Sequence, residues 1–175
     1  LLIELVNQNS ATDHFDGVNL VGRQVERFLL GLGMRTSAFV TGRSGQHLIA
    51  RSATRDGNRL MLLGHLDTVY PNVAPIGRYA VDPENAARAL GPGVTDMKGG
   101  IVVMLFAVRA LVESGALQGR ALTVLLTADE ESGSVTSHDL VADEAPEHHL
   151  TLVFETGSPR PEGGRVHPGP APPAR

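Results

Sequence analysis

Three segments of this chain, LMLLGHLD, LTVLLTADEE and TLVFE, run from apolar residues straight into histidine or carboxylate. Helical patterns separate them, so the order is strand, helix, strand, helix, strand. That alternation needs crossover connections, and it implies a parallel sheet with helices packed on its faces. In such a sheet the carboxyl ends of the strands share one edge, where ligands bind. The polar residues that close the three segments are therefore expected to meet in space.

The flanking elements are consistent with this frame. LLIELV and GVNLVGRQVERFLLGLG read as helices, the second with Val18, Val21, Val25, Phe28, Leu29 and Leu32 at helical spacing and Gly31 and Gly33 as a stop. MRTSAFV and QHLIARS read as strands either side of a glycine turn. From Pro71 to Gly93 runs a loop with room for a small hairpin, long enough to suggest a functional role. GIVVMLFAVRALVESG is apolar almost all round and is expected as a core helix capped by Gly115, and SHDLVADEA as a short helix. Residues 159–175, rich in Pro and Gly with no apolar period, are expected to be a disordered tail.

Composition narrows the chemistry. With 175 residues and 42% hydrophobic content the chain can build one soluble core. A net charge of -4 argues against a broad grip on nucleic acid or anionic membrane. No apolar run approaches the roughly 20 residues that span a bilayer. The expected location is cytoplasmic, with periplasm or secretion left open by a start at Leu1. There is no cysteine, so a metal would have to be held by His, Asp and Glu.

His65 and Asp67, two apart on extended chain, point to the same side, so one can ligate while the other supports. Asp96 precedes the apolar helix. An aspartate there is ordinarily an N-cap, yet the adjacent Gly99 and Gly100 suggest that backbone must come close to something. One histidine with several carboxylates suits a pair of Zn²⁺ ions or similar divalent metals, which can share and acidify a water. A free carboxylate must then take the proton. Glu130 and Glu131 offer that division of labour, one toward metal and one toward substrate. In isolation DEES would be a solvated acidic turn; its place after an apolar strand, in step with two other strands ending alike, favours the site.

These residues resemble the M20 family of dinuclear metallopeptidases, the group of glutamate carboxypeptidase, aminoacylase, acetylornithine deacetylase and succinyl-diaminopimelate desuccinylase. GHLDTVYP, GPGVTDMKGG, ADEESGS and VFET match its signature blocks in order, and the wording is nearest the glutamate carboxypeptidase branch. The resemblance covers residues 1–158, the N-terminal part of a catalytic domain. It implies an α/β fold, an incomplete three-layer αβα sandwich around a mostly parallel mixed sheet. It implies two Zn²⁺, with Co²⁺ or Mn²⁺ as substitutes, held by His65, Asp96, Glu131 and Glu155, with Asp96 bridging both and followed by a cis peptide. Glu130 would be the general base, and Asp67 the carboxylate that orients the site. The implied reaction is hydrolysis of an amide next to a free carboxylate, in an N-acyl amino acid or short peptide.

The sequence also departs from the family. The inserted lid domain and the late segment with a final zinc-ligating histidine are not in the chain as given, and homodimerisation is expected of a full-length parent only. An alternative reading is a truncated remnant that folds partly and binds metal weakly. A nucleotide-binding domain is disfavoured, because GPGVTDMKGG lacks phosphate-loop spacing. No further histidine is nominated: His148 and His149 are expected in solvent, His138 lies on the short helix, and His14, His47 and His167 fall in loops, a strand or the tail. Lys98, on a first helical turn, is expected to reach solvent.

Overall fold

The computed structural model describes residues 1–54, 57–71 and 77–157. The expected tail at 159–175, with His167, lies outside them. Helices α1 (Leu2–Asn7) and α2 (Phe15–Gly31) lead into strands β1 (Arg35–Phe39), β2 (His47–Arg51) and β3 (Arg59–His65). A hairpin follows, β4 (Ala80–Asp82) and β5 (Asn85–Leu90), within the long loop where room for one was read. Then come α3 (Gly99–Glu113), β6 (Ala121–Thr127), α4 (His138–Glu144) and β7 (Leu150–Val153).

The main sheet has the order β1-β2-β6-β3-β7. β3 pairs parallel with both β6 and β7, the two crossovers running through α3 and α4. β2 joins β6 antiparallel and β1 returns beside β2, as the short glycine turn between them dictates. The sheet is thus mixed, with its parallel half built from the three segments that end in polar residues.

Two-residue alternation divides the strands between two cores. Leu48, Ala50, Leu62, Leu122, Val124 and Leu126 face α2 and α3, meeting Val18, Val21, Val25 and Leu29 from one helix and Ile101, Met104, Leu105 and Val108 from the other. Ile49, Met61 and Leu125 face the opposite way, where Leu140 and Val141 of α4 pack. Helix, sheet and helix make three layers. Each fully buried aliphatic residue contributes about 1.5–3 kcal/mol.

α3 corrects one expectation. Although apolar almost all round, it buries only one side: Val103 is 62% and Phe106 48% exposed. Phe106 packs against the Phe28 ring at 5.7 Å between centroids, and the Arg109 guanidinium lies over its ring. Among the described residues no helix is long and apolar enough to cross a membrane.

Candidate metal centre

Parallel register lines up the strand ends. His65, the last residue of β3, is level with Thr127 of β6, and Leu63 is level with Val153 of β7. The residues just beyond each strand therefore emerge at one rim: Asp67 after β3, Glu130 and Glu131 after β6, Glu155 after β7. The fourth contribution comes from the irregular turn Val94–Lys98 ahead of α3, where Asp96 and Met97 leave helical geometry and the peptide between them is cis, as the resemblance implied.

Glycines let these pieces close. A Cβ on Gly100 would collide with the carbonyl of Phe154, and one on Gly99 with that of Val94. The backbone approach inferred from these two glycines is thus real. It brings the start of α3 against the residue before Glu155. Asp96 is not the N-cap of α3, a place that falls to Lys98. The Asp96 carboxylate instead lies 3.0 Å from Nε2 of His65.

His65 is the buried centre of the group, 1% exposed. Its Nε2 is also 3.1 Å from Glu155 and 3.9 Å from Glu130. Nδ1 faces the other way, 3.0 Å from the Asp67 carbonyl and 3.3 Å from its carboxylate. A proton on Nδ1 donated to Asp67 leaves the Nε2 lone pair aimed into the cluster. Asp67 itself is fully buried and accepts from Thr12 Oγ1 at 2.7 Å and from the backbone N–H groups of Glu130 and Glu131, each at 3.2 Å. Its carboxylate thus lies against the Nδ1 side of the His65 ring, opposite the nitrogen that faces Asp96 and Glu155.

The electrostatics call for a cation. Burial works to depress the His65 pKa, but Asp67, Glu155 and Glu130 outweigh it and raise it to about 9. Burial and then Asp96 push the Glu131 carboxyl up, and burial, with Asp96 and Glu130, does the same for Glu155. Ligand atoms of His65, Asp96 and Glu131 lie within 4.8 Å of one another. Glu131 Oε1 is buried without a hydrogen-bond partner. An imidazole and crowded oxygens, one of them orphaned, fit a divalent metal. Beside them a cavity of about 360 Å³ opens between Glu130 and Glu155, walled by Leu63, Val141 and Val153.

Two polar residues stand elsewhere than expected. Lys98 does not reach solvent: it is 1% exposed, its Nζ donates to the Gln8 carbonyl at 2.7 Å, and burial lowers its pKa to about 8. His148 is not in solvent either, its side chain being 4% exposed and hydrogen-bonded to Thr123 and the Glu144 carbonyl. His47, passed over as a strand residue, is 1% exposed. Thr12 was missed altogether, since nothing in its local sequence marks it. His149 and His138 are exposed.

Residues 61–170 match the profile of peptidase family M20/M25/M40. The chain belongs to this family. Carboxypeptidase G2 of Pseudomonas sp. (strain RS-16) is 32% identical over 163 residues, covering 90% of this chain and 38% of that protein. A succinyl-diaminopimelate desuccinylase of Leptothrix cholodnii is 27% identical over 181 residues, covering 97% of this chain and 46% of its own length. The fold is shared with an M20 family metallo-carboxypeptidase from Sulfolobus solfataricus, at a TM-score of 0.66 and 20% identity over 89% of this chain and 36% of that one. The chain thus spans less than half the length of these M20 relatives.

Proposed function

We propose that this chain carries part of the catalytic domain of a metal-dependent hydrolase that cleaves an amide bond next to a free carboxylate, in an N-acyl amino acid or short peptide. The observation that carries the reading is the convergence of His65, Asp96, Glu131 and Glu155 at the carboxyl rim of the parallel strands, with the Glu130 carboxylate beside them. The names of the M20 relatives support the substrate class: a carboxypeptidase releases a residue bearing a carboxylate, and a desuccinylase removes an acyl group that bears one.

His65, Asp96, Glu131 and Glu155 would hold divalent metal, two Zn²⁺ by the family resemblance, and their imidazole and carboxylate donors also suit Co²⁺ or Mn²⁺. When bound, such ions polarise a carbonyl and lower the pKa of water. Glu130, half-exposed at the cavity mouth, takes a proton from the attacking water and delivers it to the leaving amine. Asp67 holds the His65 ring and, through two backbone N–H groups, the turn that bears Glu130 and Glu131. The neighbouring cavity sets an apolar wall of Leu63, Val141 and Val153 beside the reacting centre.

Two measurements test this. The purified chain is expected to bind Co²⁺ or Zn²⁺, and Glu131→Ala to weaken uptake at least tenfold. In the protein containing this chain, Glu130→Gln is expected to keep the metal and lose at least a hundredfold in kcat. Metal uptake without hydrolysis by the chain as given would favour the remnant reading for this piece, whereas full turnover by Glu130→Gln would remove Glu130 from the mechanism.

A further inference from the structure

The turn that carries Glu130 and Glu131 is gripped on one side by Asp67; on the other it meets a buried polar group on β2. Nδ1 of His47 lies 3.0 Å from the backbone nitrogen of Ala128. A backbone N–H can only donate, so Nδ1 is the bare acceptor and the ring proton sits on Nε2. Nε2 lies 3.0 Å from Thr136 Oγ1, which therefore accepts. The Thr136 hydroxyl lies 2.8 Å from the Asp129 carboxylate and gives its own proton there, while the Thr136 backbone N–H donates to the same oxygen. Ser44 Oγ, 2.8 Å from Thr136 Oγ1, completes the group. Burial, outweighing Asp129 and Asp67, lowers the pKa of the ring, which keeps the acceptor nitrogen free.

The chain of donors has a direction and two anchor points. Ala128 and Asp129, the residues immediately before the glutamate doublet, are both tied to His47, one directly and one through Thr136. Thr136 itself lies beyond the turn, so the link spans it from its entry to its exit. Both ends of the link are out of water, Ala128 being 0%, Asp129 2% and His47 1% exposed, while Thr136 between them is half-buried. A site whose groups must hold within about half an ångström needs such backing.

From this geometry we infer that His47 is a positioning residue for the metal centre, fixing from β2 the turn that presents Glu130 and Glu131. The inference rests on reading Glu130 as base and Glu131 as ligand. It adds that the neutral imidazole, with one acceptor and one donor set about the width of a side-chain amide apart, is the part that defines where the turn sits.

The test uses the full chain with His47→Phe, which keeps bulk and removes both bonds, and Thr136→Val, which cuts the link at its far end without changing shape. Hydrogen exchange across residues 128–137 is expected to quicken at least tenfold in both, with β6 unchanged, and Co²⁺ affinity to fall ten- to a hundredfold. His47→Gln, whose amide also offers one acceptor and one donor, is expected to restore both to within about threefold. Exchange in the turn equal to wild type, or quickened equally through β6, would overturn the inference even if the chain binds Co²⁺ normally. A looser turn in a chain whose wild type binds no Co²⁺ would uphold the positioning role while sinking the metal reading.

Discussion

Asp67, with no exposure to solvent, is surrounded by donors: the Thr12 hydroxyl, two backbone N–H groups and the His65 ring. Removing one donor leaves a buried acceptor unsatisfied, which costs about 1–3 kcal/mol. Thr12→Val is expected to lose that much in urea denaturation, and Thr12→Ser to recover most of it. Asp67 was legible from its spacing to His65, because an extended chain sends residues two apart the same way. Thr12 was not, since it reaches Asp67 across 55 residues of sequence. His47 and Lys98 escaped for the same reason. Each sits in an ordinary local context, and only the folded neighbourhood turns one into a hydrogen-bonded hub and the other into a buried amine.

Among the elements, the strand ends were the most readable, because an apolar segment closing on acid shows both where the sheet stops and where its ligands gather. α3 was less so. Val103 and Phe106 have the same chemistry as Ile101 and Met104, and composition cannot say which side of a uniformly greasy helix will find a partner. The approach of α1 to the turn before α3 was invisible, though it governs Lys98, which donates to the Gln8 carbonyl. Its pKa is lowered in the folded state to about 8, so the unfolded chain binds its proton more tightly. Stability from this group is present above its unfolded value and lost as pH falls through about 8. Lys98→Met is expected to flatten the rise in thermal stability between about pH 8 and 10.5, read from melting curves across that window. Gly100→Ala tests another contact between elements. A methyl group there displaces Phe154, and with it Glu155, so weaker Co²⁺ uptake is expected with a lower melting temperature.

At the scale of the molecule, the parallel strands, the helices on their faces and the rim of polar residues followed from the order of segments, the mixed three-layer sheet was what the resemblance implied, and the four signature blocks are the parts that converge. The crowding of carboxylates at that rim has a thermodynamic consequence. A ligand that binds only the folded chain stabilises it by about 2.7 kcal/mol at a hundred times its dissociation constant. Saturating Zn²⁺ is therefore expected to raise the melting temperature, a chelator to reverse the gain, and acid to weaken the effect, since the raised pKa values of Glu131 and Glu155 let protons compete. The outermost strand has a consequence of another kind. Among the described residues β7 pairs only with β3, and its Leu150, Leu152 and Val153 are 55%, 42% and 57% exposed. Its free rim of amides and carbonyls, flanked by oily side chains, is a template for adhesion. Handled by itself, this piece of polypeptide should clump as its concentration climbs, and a lysine or proline set into that border should keep it dispersed.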